Sequence, residues 1–219
     1  MRIAVLTANL GKFDADVLNI KQNLPENVEM MFYRYTDKNF PPITGLTPRL
    51  QYRIPKMFGW QMMPGYDYYL WLDGSMSLQD KMSVDWFIKK AKTVEMVVFK
   101  HPWRKTLKEE TDFIEAKLKE GNKYITSRYL NGLHKEQYND IMDDKTYVDD
   151  KLYASTVFMY QNTDRVREMM KLWWIHTTRY FTVDQIALPY AIRKTGVSVY
   201  EIEDSPFKCK YVSVTSKHK

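Results

Sequence analysis

The segment 66–78, YDYYLWLDGSMSL, places a carboxylate directly after an apolar run. Residues 68–72 have the aromatic and aliphatic composition of a buried strand, and the sequence continues as Asp-Gly-Ser. Ligands of open α/β sheets bind at the carboxyl ends of strands, and hard cations such as Mg²⁺ and Mn²⁺ prefer oxygen ligands. We therefore predict a contact to a metal ion and a diphosphate through Asp73, with Gly74 and Ser75 beside it. Because Asp-Gly pairs also begin ordinary turns, a purely structural turn is the alternative.

Polar residues at the ends of the first two predicted strands suit a nucleoside. The first strand, 3–7, runs into Thr-Ala-Asn, whose backbone and side chains can hydrogen-bond a base, and an aspartate follows the second strand, 29–35. A predicted helix from Pro48 carries an arginine and a lysine three positions apart, on one side of the helix, where they can face a pyrophosphate. A solvated helix surface is the alternative for these cations. The predicted contacts are Thr7, Ala8, Asn9, Asp37, Arg53 and Lys56.

A further group of candidates follows the predicted strand 95–99. His101 and Arg104 come directly after it, and Glu109 and Glu110 lie just beyond. The planar guanidinium of arginine offers a fixed fork for a phosphate or a carboxylate. The alternative is local packing, with His101 at a strand end and Arg104 paired with a nearby glutamate.

Composition limits the classes of function. The chain has 219 residues, a net charge of +6 and 15% aromatic residues, which favours anionic partners and describes a folded domain. Neither a Gly-x-Gly-x-x-Gly segment nor a P-loop is present, so a nucleotide must be held in another way. Cys209 is the only cysteine, which excludes a disulfide or a cysteine zinc site within one chain. No apolar run approaches the roughly 20 residues that span a bilayer.

The alternation of apolar runs and helical patterns predicts an α/β domain with a mostly parallel, doubly wound sheet and some antiparallel pairing. We expect one domain over residues 1–219, and a longer protein that carries this segment as one of its domains is the alternative. The predicted strands are 3–7, 29–35, 68–72, 95–99, 153–160 and 197–202. The predicted helices are 14–22, 48–63 with a kink at Pro55, 83–92 capped by Ser83, 106–121, 164–180 and 183–194. Residues 122–150 are expected to form loops and a short helix.

These residues resemble the GT-A glycosyltransferases. Residues 71–75, Trp-Leu-Asp-Gly-Ser, are similar to the Asp-x-Asp motif of that family, with Ser75 in place of the last acid. The segment from Arg49 to Asp73 resembles a branch that includes glycosyltransferase domains of chlorella viruses, which help build the capsid glycan. The resemblance implies a single GT-A domain, a donor that is a UDP-linked sugar, Mn²⁺ or Mg²⁺ at Asp73, and a glycan or glycoprotein as acceptor. Serine is a poorer metal ligand than the acid it replaces, so the resemblance leaves the strictness of the metal requirement open.

The same resemblance assigns roles at the sugar end of the donor. His101 and Arg104 match a segment that borders the donor sugar, and residues 153–156 match a strand beside donor and acceptor. Asp184, at the start of a predicted helix, matches an acid below the donor sugar. In an inverting enzyme this acid is the general base, whereas in a retaining enzyme it supports the oxocarbenium-like centre; the sequence does not choose. The alternative for Asp184 is a carboxylate that only caps its helix.

Two other classes of function fit parts of the sequence. A protein that binds a sugar nucleotide without turnover would have the same pocket, and a basic nucleic-acid-binding module would explain the charge and the aromatic residues. We expect a glycosyltransferase without a nucleic-acid partner or a membrane span, located in the cytoplasm, or in the host cytoplasm if the chain is viral. His218, in a basic tail, is expected to be disordered; the alternative is a metal ligand, as for a late histidine of some GT-A enzymes.

Overall fold

A computed structural model describes residues 1–11, 13–14 and 19–214. The strands in this part of the chain are β1 (Arg2–Asn9), β2 (Glu29–Thr36), β3 (Tyr68–Asp73), β4 (Met76–Leu78), β5 (Met96–Lys100), β6 (Tyr153–Gln161), β7 (Val199–Ile202) and β8 (Val212–Val214). Six of them form a sheet with the order β2-β1-β3-β6-β5-β7, and β4 pairs with β8. Strand β6 is antiparallel to both of its neighbours, and the other pairs in the large sheet are parallel. The predicted α/β class with a mostly parallel sheet is confirmed.

Helices cover both faces of the large sheet. They are α1 (Pro48–Gln51), α2 (Arg53–Met62), α3 (Ser83–Ala91), α4 (Leu107–Lys119), α5 (Lys123–Tyr129), α6 (His134–Asp143), α7 (Asp164–Arg179) and α8 (Asp184–Thr195). One face packs against α2, α7 and α8, and the other packs against α3 and the β4–β8 pair. Because both faces are covered, the central strands are apolar at successive positions rather than at alternate ones. Helices α4, α5 and α6 share a third apolar cluster with α8.

The strand register brings separate parts of the sequence to one edge of the sheet. Ala8 of β1 pairs with Asp73 of β3, so these two strands end side by side. Strand β6 begins at this same edge because it runs in the opposite direction, and Tyr153 pairs with Lys100 at the end of β5. The carboxyl edge therefore collects residues from the beginning, middle and end of the chain.

The predicted long helix from residue 48 to residue 63 is two helices. Proline has no N–H to donate to the carbonyl four residues earlier, so Pro55 removes the bond to Gln51. The helical hydrogen bonding is interrupted at Tyr52, between α1 and α2. A second irregularity lies at Phe58, whose φ and ψ of −118° and 20° are not helical. The break was predicted, but it lies three residues before the proline.

Several other predicted elements need correction. Residues 122–150 contain two helices, α5 and α6, rather than loops with one short helix. Ser83 is not the cap of α3: Met82 is in the cap position, and Ser83 Oγ lies 2.7 Å from the carbonyl oxygens of Asp80 and Tyr211. Residues 15–18 of the predicted helix 14–22 lie outside the described residues, and residues 19–22 are not helical.

His218 lies outside the described residues. None of the helices in the described ranges is long and apolar enough to cross a membrane.

Candidate active site

A buried ion cluster lies where β3, α2 and α8 meet. Lys56 Nζ is 2.6 Å from Asp184 Oδ2 and 3.2 Å from Asp73 Oδ1, and Arg53 Nη2 is 3.9 Å from Asp184 Oδ1. The side chains of Lys56 and Arg53 are each 1% exposed, so they are not part of a solvated helix surface. These four residues, Arg53, Lys56, Asp73 and Asp184, are called the buried ion cluster below.

Asp73 is the member of the buried ion cluster that solvent reaches, with 24% of its side chain exposed. Its Oδ1 accepts a hydrogen bond from Trp71 Nε1 at 2.7 Å and one from Lys56 Nζ. Lys56 Nζ also lies 3.4 Å from Ser155 Oγ on β6. No described residue donates to Asp73 Oδ2. One carboxylate oxygen is therefore committed to the protein, and the other is available to a ligand.

Burial and charge act in opposite directions on the two acids. Burial disfavours the charged form of Asp184, but the charges of Lys56 and Arg53 outweigh it and lower the pKa of this carboxyl to about 2. Burial raises the pKa of Asp73, and the negative charge of Asp184 raises it further. The positive charge of Lys56 lowers this pKa but offsets only part of the rise. The pKa of Lys56 is raised above its usual value because both aspartates outweigh its burial. Lys56 is thus a permanent cation at this position.

Hydrogen bonds to backbone carbonyls fix the start of α8 against α1, α2 and α7. The carbonyl oxygen of Thr182 accepts from Arg53 Nη2 at 2.8 Å and from Arg49 Nη1 at 3.3 Å. Trp173 Nε1 donates to the Asp184 carbonyl at 2.8 Å. Because the carboxylate of Asp184 also faces the cations of α2, this residue does more than cap its own helix.

The predicted nucleoside contacts lie at the carboxyl ends of β1 and β2. Thr7 and Ala8 are buried. The side chain of Asn9 donates to the Asp14 carbonyl at 2.8 Å and accepts from the Asp14 N–H at 3.1 Å. Asp37 accepts from the Gly11 N–H at 3.0 and 3.1 Å. Asn9 and Asp37 thus hold the loop that follows β1.

Gly74 allows this loop to approach the end of β3. A Cβ at Gly74 would lie 2.6 Å from the Ala8 carbonyl oxygen and 2.9 Å from Asp14 Oδ2. The first distance is to backbone and leaves no room for a side chain. The close approach places the Asp14 carboxylate beside the turn that carries Asp73. Ser75, next in the chain, is half-buried.

A second group of charges, called the β5 cluster below, consists of His101, Arg104 and Glu110. Arg104 Nε donates to Glu110 Oε2, as in the alternative of local packing. His101 Nδ1 accepts from the Arg104 N–H at 3.0 Å, and His101 Nε2 lies 3.2 Å from Arg104 Nη2. Burial, together with the charge of Arg104, lowers the pKa of His101 to about 4. His101 is therefore neutral at pH 7.

Arg128 of α5 lies between two aromatic rings, and this group is called the Arg128 clamp. Its guanidinium carbon is 4.0 Å from the centre of the Tyr124 ring and 4.2 Å from that of the Phe13 ring. Its Nη1 donates to the Tyr124 hydroxyl at 2.7 Å. Arg128 forms no ion pair with an acid of the described residues. Phe13 precedes Asp14, so the clamp lies near the Gly74 turn.

Asp73 is the residue of this edge that fits a divalent cation. Its free oxygen is a hard ligand, and Mg²⁺ in proteins commonly keeps waters and takes further oxygens from substrate phosphates. No group of three or more His, Cys, Asp or Glu side chains within the described ranges is arranged to hold a metal ion. A metal ion here would therefore depend on Asp73 and on the phosphates of a bound donor.

The family model of the TOD1/MUCI70 glycosyltransferase-like domain matches residues 45–218, which include α2, Asp73, the β5 cluster, Arg128 and Asp184. The chain belongs to the TOD1/MUCI70 family. The predicted resemblance to glycosyltransferases is confirmed at the level of this family.

A solved structure gives a less specific match to this TOD1/MUCI70 domain. It is similar to a crystal structure of a glycosyltransferase involved in the glycosylation of the major capsid of PBCV-1. The identity is 9%, the TM-score is 0.46, and the match covers 92% of this chain and 81% of the other. No curated protein matches the sequence.

Sequence reasoning missed two residues at this edge of the TOD1/MUCI70 domain. Asp14 is placed beside Gly74 by a long-range approach that has no local signal. Arg128 lies in a segment that was expected to be mainly loop, although Tyr124 and Arg128 have the i, i+4 spacing of a helix face. Ser155, the hydroxyl near Lys56, lies within the predicted segment 153–156.

Proposed function

We propose that this TOD1/MUCI70 domain transfers a sugar from a nucleoside-diphosphate sugar, with UDP as the nucleotide, to a glycan acceptor. The observation that carries the proposal is the position of Asp73. Its carboxylate lies at a strand end and is partly exposed, and one of its oxygens is bound by the permanently charged Lys56. A carboxylate fixed in this way is preorganised for the metal–diphosphate of a donor. The match to a glycosyltransferase-like family supports the same class of reaction.

We assign the nucleoside to the carboxyl ends of β1 and β2, near Thr7, Asn9 and Asp37. Mn²⁺ or Mg²⁺, when bound at Asp73, would neutralise charge on the departing diphosphate. In the reaction, the acceptor oxygen bonds to the anomeric carbon while the bond from that carbon to the β-phosphate oxygen breaks. The bonding electrons leave with the diphosphate, and the hydroxyl proton passes to solvent or to the departing phosphate.

Arg128 is the residue that we assign to the diphosphate. Lys56 and Arg53, for which direct phosphate contact was predicted, are buried and face Asp184. Arg128 is half-buried, lies near the Gly74 turn and uses only one of its N–H groups on the described residues. An arginine with free donors can bind phosphate oxygens in a bidentate manner. In this assignment, Lys56 and Arg53 act by holding the two aspartates.

Asp184 is assigned a supporting role at the sugar end. A carboxyl with a pKa of about 2, 2.6 Å from a lysine, takes up protons poorly at neutral pH. We therefore favour electrostatic support of the positive anomeric centre over general-base catalysis. The β5 cluster, with neutral His101, is placed at the border of the sugar.

Thermal-shift measurements with UDP, GDP and their sugars, with and without Mn²⁺, test the proposal. A ligand at 100 times its Kd adds about 2.7 kcal/mol to the stability of its binding form, or roughly 5–10 °C in Tm for a domain of this size. We expect UDP to stabilise the protein, more so with Mn²⁺, and Asp73→Asn to remove the effect of Mn²⁺. A shift with oligonucleotides alone would contradict the proposal. Donor binding without any turnover would indicate a binding protein instead of an enzyme.

The role of Arg128 has a matched control in the chain. Arg179 is an exposed arginine 5.2 Å from the ring of Tyr180, away from Asp73 in the sequence and on α7. We expect Arg128→Gln to weaken UDP binding by about 10- to 100-fold, the range for a charge-assisted hydrogen bond. Arg179→Gln should leave UDP affinity unchanged. Equal affinities in the two variants would exclude Arg128 from the diphosphate site.

A further inference from the structure

Trp103 is unusually exposed for its size. It is 69% exposed, and it is the only exposed residue among the six tryptophans, all of which the structure describes. It stands between His101 and Arg104 of the β5 cluster, so it begins at the same edge of the sheet as the candidate active site. Isolated exposed apolar residues are common on proteins, and exposure alone indicates nothing.

The ring of Trp103 is held in place on one side. It stacks on Phe207 with a centroid distance of 5.3 Å and an angle of 9° between the rings. The His101 ring packs against it at an angle of 75°, with the two ring centroids 5.7 Å apart. His101 Nδ1 also accepts from the Trp103 N–H at 3.4 Å, which fixes the turn. Because Phe207 covers one face and the residue is still largely exposed, the other face is open to solvent.

The open face lies near the place where transfer would occur. Burial raises the pKa of Glu110 in the β5 cluster, and the charge of Asp184 adds to this rise, so the two acids are within electrostatic reach of each other. Strand β5 is separated from β3 only by β6, and neighbouring strands lie about 5 Å apart. Trp103 thus follows β5 at the carboxyl edge of the sheet, two strands away from the end of β3 that carries Asp73.

We propose that Trp103, backed by Phe207, is a stacking platform for a sugar ring of the acceptor glycan. This inference rests on the proposed function, because it assumes that a sugar is transferred at the sheet edge that carries Asp73 and the β5 cluster. Sugar rings present apolar C–H faces, and a rigid indole offers them a large flat surface at little cost in conformational entropy. Arg104 of the β5 cluster, whose side chain is 17% exposed, offers N–H groups for hydroxyls at the ring edge.

Binding of oligosaccharides in the absence of any donor tests this platform. The probes are cellotetraose, xylotetraose, maltotetraose and tetragalacturonate, followed by tryptophan fluorescence and by saturation-transfer NMR. We expect at least one of them to bind, and Trp103→Ala to weaken that binding about tenfold or more. Trp103→Tyr should retain most of the affinity. The matched control is Ile175→Ala, which removes a 54% exposed apolar side chain of α7 and should change nothing.

The outcomes separate this inference from the proposed function. UDP binding should be the same in Trp103→Ala and in wild type, which also shows that the variant is folded. If Trp103→Ala binds the oligosaccharides as well as wild type, or if wild type binds none of them at about 10 mM, where even millimolar complexes form, the platform is disproved. Neither result affects the donor site, whose own test is the response to UDP and Mn²⁺.

Discussion

The buried ion cluster and the β5 cluster lie at the same edge of the sheet, but they are built in different ways. Arg53, Lys56, Asp73 and Asp184 come from three elements separated by up to 131 residues, the difference between positions 184 and 53. The β5 cluster comes from one continuous segment, 101–110. The first cluster therefore joins elements of the fold, whereas the second organises one loop and the start of α4.

The difference predicts different consequences of substitution. Removing one partner of a buried ion pair leaves an uncompensated charge, which is costly, and here it also releases the contacts among α2, β3 and α8. Removing a charge from a sequence-local cluster changes the electrostatics of its neighbours with less effect on the fold. Substitutions in the buried ion cluster should therefore change the free energy of unfolding, and substitutions in the β5 cluster should mainly change the pKa values of neighbouring groups.

Lys56→Met is expected to have the largest effect. It leaves Asp184 and Asp73 without their common cation, and we expect a loss of about 3–5 kcal/mol in the free energy of unfolding, measured with urea. Lys89→Met is the matched control, because Lys89 is a 66% exposed lysine that pairs with Asp85 at 2.6 Å. It should cost much less. The double variant Lys56→Met/Asp184→Asn should lose less than the sum of its single variants; strict additivity would contradict a coupled cluster.

The pH dependence of stability separates Asp184 from the rest of its cluster. Its pKa of about 2 in the folded protein lies below the value of about 3.9 in an unfolded chain. The carboxylate thus contributes stability above pH 4, and this contribution is lost as the pH falls from about 4 to 2. We expect Asp184→Asn to be less stable than wild type by about 2 kcal/mol at pH 7 and by almost nothing near pH 2.

Urea unfolding at several pH values between 2 and 7 measures this difference. Asp112→Asn, which removes an exposed partner of Lys108, is the control and should follow the wild-type pH profile. A difference between Asp184→Asn and wild type that stays constant down to pH 2 would contradict a low pKa for this carboxyl. The variant is compared with wild type at each pH, because the raised pKa of Asp73 adds its own pH dependence to the stability of both proteins.

The two clusters also show what the sequence can predict. The pairing of Arg104 with a glutamate was an alternative from the start, because its partners are close in sequence. For Arg53 and Lys56 the sequence correctly indicates one helix side, but not what covers it. Both are buried because α8, which begins more than 120 residues later in the chain, packs together with α2 and α7 on the same face of the sheet. Burial by distant segments has no local signal.

The fold was more predictable than the contacts within the site. The central strands of the large sheet are runs of buried, mainly apolar residues, and each strand of this sheet was predicted within two residues of its observed ends. The short strands β4 and β8 were missed because three-residue pairs leave no periodicity to detect. Arg128 was missed for a related reason, since α5 has only seven residues.

The smallest expected effect is in the β5 cluster. Burial is the larger cause of the low pKa of His101, and the charge of Arg104 is the smaller one. Arg104→Gln removes this charge and leaves Glu110 Oε2 at 4.0 Å from His101 Nε2. We expect the pKa of His101 to rise from about 4 by about one unit, the usual size of such shifts in folded proteins. Titration of the histidine Cε1–H signals by NMR measures it directly, because the chain has only four histidines.

His134 and His176 serve as internal controls, since neither contacts Arg104, and their signals should titrate as in wild type. An unchanged His101 would mean that burial alone sets its pKa and that the β5 cluster is not an electrostatic unit.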